Sequence, residues 1–326
     1  MQTRQLGRTG RAVGVIGLGC WQLGADWGTV SEDDALATLR AAADAGVTFL
    51  DTADVYGDGR SERLVGRFLT ERPGLTVATK MGRRADPHEA AGYTADAFRA
   101  WNDRSRENLG VDTLDLVQLH CPPTSVYGDD AVFDVLDEMV AEGRMKAYGV
   151  SVETCAEALT AIARPNVASV QIILNAFRRK PIEQVLPAAA EAGVAIIARV
   201  PLASGLLTGK YDESTTFAAD DHRSYNRSGE AFDVGETFAG VPYDVGLAAA
   251  RDVAALAPAG RTTAQLALRW LLSQPGLTTV IPGARNAEQA RANAAAGSGD
   301  PLPPATLDAL RDVYDTQVRP HVHDRW

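Results

Sequence analysis

Four side chains, placed at the ends of three successive strand-like segments, could act together on one oxygen atom. Asp51 follows Val47-Thr48-Phe49-Leu50, and Tyr56 lies on the loop just beyond it. Lys80 follows Leu75 to Thr79, and His120 follows Leu114 to Leu119. A free phenol ionises near a pKa of about 10, too high for an efficient proton donor at neutrality. A neighbouring ammonium favours the phenolate and lowers that value. Asp51 supplies the counter-charge that a partly buried Lys80 requires. His120 can donate a hydrogen bond to an oxygen held near Tyr56. Such a set protonates an oxygen that is gaining negative charge, as a carbonyl oxygen does when its carbon receives hydride. No side chain donates hydride, so this chemistry calls for a nicotinamide cofactor. Taken singly, an Asp or Lys at a strand end is a cap or a surface charge, and a Tyr is a packing residue. The pointer to function is that four complementary groups meet at three adjacent strand ends.

The elements that must carry these groups alternate along the chain. A hairpin is expected at the start (Thr3 to Leu6, Arg11 to Val13). Strands are expected at Val15 to Leu18, Val47 to Leu50, Leu75 to Thr79, Leu114 to Leu119, Ala147 to Val150, Val167 to Ile173, Val194 to Val200 and Thr278 to Ile281. Helices follow them at Ala35 to Ala45, Ser61 to Leu69, Ala95 to Leu109, Ala131 to Ala141, Cys155 to Ala163, Ile182 to Ala192, Val245 to Ala255, Thr263 to Ser273 and Ala287 to Ala295. A terminal helix runs from Ala305 to Val318. Short β-branched strands alternating with amphipathic helices imply a parallel sheet. Eight such units without a linker predict one domain over residues 1–326. Its fold class is α/β, a closed (β/α)₈ TIM barrel with an N-terminal β-hairpin and a long polar loop after strand seven, from about Tyr211 to Pro242. A barrel places catalytic groups where its strands end. The open-sheet alternative needs G-x-G-x-x-G after the first strand, but Gly17, Gly19 and Gly24 misplace the third glycine. Gly205 to Lys210 falls one residue short of a phosphate loop, and Tyr211 stands where Ser or Thr is needed.

Composition removes several function classes. The 326 residues are 45% hydrophobic and 23% charged, ordinary globular values that allow a large core. Lys plus Arg total 32 against 42 Asp plus Glu, a net charge of −10. This balance argues against nucleic-acid or anionic-membrane binding, while leaving room for one local anion site. No apolar run reaches membrane-spanning length. Three cysteines, Cys20, Cys121 and Cys155, are too few and scattered for a disulfide framework or a zinc site. Arg4, Arg8 and Arg11 before Ala12 to Leu18 and Cys20 loosely imitate an export signal. That stretch is short and broken by glycines, so a cytoplasmic location is expected.

The run Phe49-Leu50-Asp51-Thr52-Ala53-Asp54-Val55-Tyr56-Gly57, with Ser61-Glu62 after it, resembles the most specific signature of the aldo-keto reductase superfamily. Lys80 in Val77-Ala78-Thr79-Lys80 and His120 in Leu116-Val117-Gln118-Leu119-His120 match the rest of its tetrad. The resemblance covers essentially the whole chain. It implies an NADPH/NADP+-linked oxidoreductase without a metal, acting on a small-molecule carbonyl substrate. Tyr56 would be the acid, Lys80 and Asp51 its tuning partners, and His120 the group that orients substrate. Cofactor positions implied by the resemblance are Gly19, Cys20 and Trp21 after strand one, Asp51, Ser151 and Gln171 for the carboxamide, and Leu202, Ser204, Gly205, Leu206 and Lys210 around the pyrophosphate. Gly283, Arg285, Gln289 and Asn293 would surround the adenosine 2′-phosphate. Asn286 and Gln289 can equally form a capping box, and both roles are compatible. The chain departs from the family at Val152, where Asn is usual, and at Arg199, where many relatives place a Tyr stacked on the nicotinamide. Arg199 either stacks there, its charge disfavouring the oxidised ring, or turns away to an acid such as Asp54.

Trp21, Trp27 and Trp326 are candidate linings of the substrate cleft, with Tyr56 and His120, or else ordinary packing residues. His321 and His323 in the tail are read as solvated or pocket-lining groups and not as metal ligands. The long loop is expected to fold over the cofactor. The resemblance leaves two rivals to an enzyme of this kind. One is a regulatory protein of the same fold that senses bound cofactor, and the other is a cofactor-free barrel isomerase or lyase. The substrate and the oligomeric state are not legible.

Overall fold

The computed structural model describes residues 1–24 and 30–326. The chain opens with a hairpin in which β1 (Thr3–Gln5) and β2 (Ala12–Gly14) pair antiparallel, Arg4 opposite Val13. Among the described residues, eight parallel strands follow, each paired with the next. They are β3 (Leu18–Gly19), β4 (Phe49–Asp51), β5 (Thr76–Met81), β6 (Leu116–His120), β7 (Tyr148–Ser151), β8 (Val167–Ile173), β9 (Ala195–Arg199) and β10 (Thr279–Val280). Parallel bridges from Ile16 to Val280 and from Gly19 to Gly283 join the first strand to the last. The Gly17 N–H donates to the Val280 carbonyl at 2.8 Å and the Val280 N–H to the Val15 carbonyl at 3.0 Å. The sheet thereby closes into the expected barrel. The first strand, expected at Val15 to Leu18, is regular only over Leu18–Gly19, because residues 15–17 make single contacts across the seam.

Helices α1 (Trp21–Gly24), α2 (Glu32–Asp44), α3 (Arg60–Glu71), α4 (Ala95–Leu109), α5 (Asp130–Ala141), α6 (Cys155–Ile162) and α7 (Val185–Ala192) follow the strands in turn. After β9 come α8 (His222–Tyr225), α9 (Tyr243–Ala255) and α10 (Thr263–Leu272). After β10 come α11 (Ala287–Ala295), α12 (Pro304–Val313) and α13 (Arg319–Val322). Their starts follow from local chemistry. Ser31 and Thr94 accept hydrogen bonds from the Asp34 and Ala97 N–H groups. Thr154 and Glu157 form a reciprocal capping box at α6. The long loop is not featureless, since it contains α8 and two 3₁₀ turns, Val234–Glu236 and Phe238–Gly240. The terminal helix ends at Val313 and continues as a wider turn over Tyr314–Val318.

Strand alternation decides which side chains face inward. Phe49, Ala78, Leu116, Ala195, Ile197 and Ile281 form one apolar cluster inside the barrel. The intervening Leu50, Val77, Val117 and Ile196 belong to the separate, larger core under the helices. Two residues beyond the inner apolar layer, still facing inward, stand Asp51, Lys80, Gln118, Arg199 and Gly283. The register sets Lys80 opposite Gln118, His120 opposite Ser151, and Ser151 opposite Gln171. A polar layer therefore caps an apolar one at the strand ends. No helix among the described residues is long and apolar enough to cross a membrane.

The hairpin closes the other mouth. Leu6 and Val13 join the inner apolar cluster. Gly7, at φ +52°, turns so tightly under β8 and β9 that a Cβ would overlap the Ala168 carbonyl oxygen and lie 2.9 Å from the Ala195 nitrogen. Gly10 also has positive φ, +71°, but meets nothing within 4 Å. Both alanine variants bear left-handed strain, and only Gly7→Ala adds a clash with backbone. Gly10→Ala should lose about 1–2 kcal/mol and Gly7→Ala about 2–4 kcal/mol in urea denaturation. Equal losses would show that the hairpin does not pack against the barrel floor.

Candidate active site

Lys80 is the centre of the polar layer. Its ammonium, fully buried, donates to Asp51 Oδ1 at 2.5 Å, to the Thr52 carbonyl at 2.9 Å and to the Tyr56 hydroxyl at 3.3 Å. Three protons thus have three acceptors. Asp51 Oδ2 accepts from Gln171 Nε2 at 2.7 Å and from Gln118 Nε2 at 3.1 Å. Because the Tyr56 oxygen accepts from Lys80, its own proton points elsewhere. The ring meets His120 edge to face, centroids 5.9 Å apart, and lies nearly parallel to Trp21 at 5.8 Å.

The electrostatics correct one expectation. Burial raises the Tyr56 pKa, and the downward pull of Lys80, itself opposed by Asp51, does not offset it. The phenol therefore stays above its ordinary value and not below it, since a phenolate here would lose its water. Burial also works against the Lys80 ammonium, but Asp51 and Tyr56 outweigh it and leave Lys80 above its usual range. His120 is pushed well below the ordinary imidazole value by burial, then by Arg83, Lys80 and Arg199. It is a neutral ring at pH 7, able to donate one hydrogen bond.

Asp51, Tyr56, His120 and Gln171 line one continuous cavity of about 530 Å³ that extends to the start of α11, with Lys80 buried behind its wall. Of the residues singled out from the sequence, Gly19, Cys20, Trp21, Asp51, Tyr56, His120, Ser151, Gln171, Arg199, Leu202, Ser204, Gly205, Lys210, Gly283, Arg285, Gln289 and Asn293 all border it. At the far end Asn286 caps α11 by accepting from the Gln289 N–H at 2.9 Å. The Gln289 side chain reaches one residue further than a capping box requires, accepting from the Arg285 N–H at 2.9 Å. Asn293 Nδ2 donates to the Gly283 carbonyl at 3.1 Å.

One placement differs from the sequence reading, and two follow the second of the alternatives it left open. Leu206, expected against the cofactor, is buried in the core beside Gly246, because the 3₁₀ turn Ala203–Thr208 presents Ser204, Gly205 and Thr208 to the cavity instead. Arg199 is not a free stacking cation. Its guanidinium bonds Glu236, Glu153 at 2.9 Å and the Val152 carbonyl at 3.0 Å. The acids that hold it are thus Glu153 and Glu236, and not Asp54, which lies beside Arg84 at 3.6 Å. Trp326 is absent from the cavity wall and is buried behind it, while Trp27 lies outside the described residues. In the tail, His323 pairs with the Tyr314 hydroxyl at 2.8 Å and Glu183 at 3.1 Å. Among the described residues, no three His, Cys, Asp or Glu side chains are grouped to hold a metal ion.

Other site residues were not anticipated. Gln118 stands two positions before His120, so strand alternation alone turns it inward to Asp51. Arg83, Phe232 and Glu236 also line the cavity. Arg83 follows Lys80 closely enough to have been suspected, while the two loop residues carry no periodic signal.

A family model described as the aldo/keto reductase family matches residues 15–315. An aldo-keto reductase of Bacillus subtilis, YhdN, is 32% identical over 90% of this chain and 87% of its own length. The aldo-keto reductase yakc [NADP(+)] of Schizosaccharomyces pombe is 29% identical over 96% of this chain and 91% of its own. The solved glycerol dehydrogenase AKR11B4 of Gluconobacter oxydans superposes with a TM-score of 0.77 at 28% identity, covering 97% and 94% of the two chains. With its closed barrel, its buried Asp51–Lys80–Tyr56 chain and this extent of similarity, the protein belongs to the aldo/keto reductase family.

Proposed function

We propose that this chain reduces an aldehyde or ketone to the alcohol, with NADPH as reductant and Tyr56 as proton donor. The observation that carries the reading is the hydrogen-bond chain from Asp51 through Lys80 to the Tyr56 oxygen, at the wall of an open cavity. The residues present fit a dinucleotide. The cavity continues from Tyr56 and His120 to the first turn of α11, where the Ala287 and Glu288 N–H groups have no acceptor within the helix. Arg285 stands exposed beside that turn, suited to a 2′-phosphate, and Lys210 borders the same cavity. Similarity to a reductase whose name specifies NADP+ supports the same choice. When bound, the reduced dinucleotide supplies the hydride that the carbonyl carbon accepts.

The protein's own part is positioning and proton delivery. Neutral His120 donates to the carbonyl oxygen and sets it against Tyr56. As negative charge grows on that oxygen, the Tyr56 hydroxyl gives up its proton. Lys80, already donating to the phenol oxygen, stabilises the charge left there, and Asp51 keeps Lys80 ionised. The apolar and aromatic wall from Trp21 and Phe232 excludes water that would compete for these bonds. A panel of carbonyls assayed for loss of NADPH absorbance tests the reading as a whole. Turnover of none of them would remove it.

Three variants or profiles test its parts. Tyr56→Phe should lower kcat by about 10²–10⁴-fold with NADPH binding retained; a variant keeping half of wild-type turnover would remove Tyr56 from the role. Arg285→Ala should weaken NADPH binding by roughly 1.5–3 kcal/mol and leave NADH nearly unchanged. Equal loss for both would make Arg285 a support of the fold. The raised Tyr56 pKa keeps the acid protonated through neutrality, and the depressed His120 pKa keeps that ring neutral. Carbonyl reduction should therefore stay level across the ordinary imidazole range and fall only above about pH 10. An inflection near neutrality that vanishes in His120→Asn would contradict this assignment.

A further inference from the structure

Outside the Asp51–Lys80 chain the structure buries a second cluster of charge. Arg83, Arg178 and Arg199 stand among Glu153, Asp233 and Glu236. The barrel supplies the three cations and one acid, and the loop after β9 supplies the other two acids. Glu236 is buried at the cavity wall, where it bonds Arg199, while the Ser204 hydroxyl donates to the Glu236 carbonyl at 2.8 Å. What holds this part of the loop from behind is Trp326. Its indole Nε1 donates to both oxygens of Asp233, at 3.1 and 3.2 Å. The Arg178 guanidinium lies 3.8 Å from its ring centroid, and a further Arg178 nitrogen donates to the Glu153 carbonyl at 2.5 Å. The loop carries glycine where it meets this stack. A Cβ on Gly235 would overlap the Arg178 guanidinium and lie 3.0 Å from the ring, and one on Gly240, at φ +75°, would overlap the ring itself.

We propose that Trp326 is a positioning residue that fixes the loop segment 232–240 so that Glu236 and Phe232 form one wall of the substrate cavity. It touches none of the reacting groups. An indole suits the task because it joins an apolar plate, packed against Arg178, Gly235 and Gly240, to one N–H aimed at a carboxylate. Without it Asp233 keeps the Gly235 N–H at 2.7 Å and Arg178 at 4.0 Å but loses both indole bonds, Arg178 loses its stacking surface, and the Glu236–Arg199 pair loses the support behind it. The wall then loosens while Tyr56, Lys80 and His120 stay in place on the barrel. Carbonyl binding should suffer more than the chemical step.

The kinetic arm of the test rests on the reduction proposed above, so a second readout is independent of it. Arg227, exposed on the same loop, packs its guanidinium over the Phe238 and Tyr243 rings at 5.2 and 5.0 Å. Loosening the segment exposes the bond after Arg227 to trypsin. Wild type, Trp326→Ala, Trp326→Phe, Glu236→Gln and the Trp326→Ala/Glu236→Gln double variant are compared with 4-nitrobenzaldehyde and saturating NADPH, by tryptic nicking of the native protein, and by thermal melting. Trp326→Ala should raise KM by roughly tenfold, with kcat within about threefold of wild type, and should speed nicking at Arg227 by a similar factor. Trp326→Phe keeps the plate and loses the bonds to Asp233, so it should fall between, at about threefold, and it carries the test if the alanine variant does not fold. Because Trp326 acts through Glu236, the double variant should be no worse in KM than the more affected single one. An unchanged KM and nicking rate in Trp326→Phe and Trp326→Ala, or strictly additive effects in the double variant, overturns the proposal. A wild type that reduces no carbonyl would remove the functional reading, and the nicking rates would still decide the role of Trp326.

Discussion

A fully buried ammonium inside the barrel mouth is the constraint from which the rest of the site follows. An unpaired charge there would cost several kcal/mol in lost hydration. Lys80 is tolerated because each of its protons has an acceptor, and the carboxylate that balances it is itself bonded by two glutamine amides. The acceptors come from β4, from the turn after it and from the Tyr56 loop, and the amides come from β6 and β8. Moving any one of these strands by a residue would turn a partner out of the barrel and leave a charge or amide stranded. The ion pair thus ties strand register to the direction in which Tyr56 holds its proton. The price is a phenol more reluctant to ionise than a free one, which suits an acid that must keep its proton until charge develops on the substrate.

The loop after β9 solves a related problem at the opposite wall. Arg199 reaches the cavity because it ends an inward-facing strand row, and Arg83 reaches it from just beyond Lys80. Neither could stay without nearby acids. Glu153 lies on the turn after β7, but one carboxylate is not enough for these cations and Arg178. The additional acids, Asp233 and Glu236, arrive on the insertion. Its polar composition, which in isolation resembles solvated chain, includes the counter-charges of a buried cluster. Phe232, Phe238 and Gly240 in the same segment supply its apolar contacts.

The sequence made legible whatever depends on short-range periodicity or on a fixed position at a strand end. Alternating β and α segments gave the barrel, and Asp51, His120 and Arg199 fell at strand ends as read, with Lys80 one residue before the end of its strand. Gln118 was equally available, because its place two residues before His120 puts it in the same inward row. The pairing of Arg199 was not available, since its partners lie 46 and 37 positions away in sequence and are brought close only by the closed fold. Leu206 went astray for a local reason. A 3₁₀ turn sends neighbouring side chains in different directions, so a motif match by position does not say which of them faces the cavity. The sign of the Tyr56 shift depends on burial competing with two opposite neighbouring charges, and a list of charged neighbours does not fix that balance.

The pairing of Arg199 also changes what its charge can do. A lone guanidinium against the nicotinamide would disfavour the oxidised, positively charged ring by roughly 1–4 kcal/mol at about 4 Å. Here the guanidinium is bonded to Glu236 and Glu153, and Glu153 lies 3.5 Å from Arg83. Two guanidinium groups thus face two acids. Burial raises the Glu153 pKa, whereas Arg199 and Arg83 outweigh burial and hold Glu236 low, so Glu236 is the acid that most surely keeps its charge beside Arg199. With that charge in place, the repulsion felt by an oxidised ring is largely cancelled. A tyrosine at position 199 could offer a ring face but could not bridge Glu153 and Glu236. The arginine is therefore better understood as the post to which the loop is tied than as a charged substitute for a stacking ring, and the redox preference expected from its charge loses its physical basis.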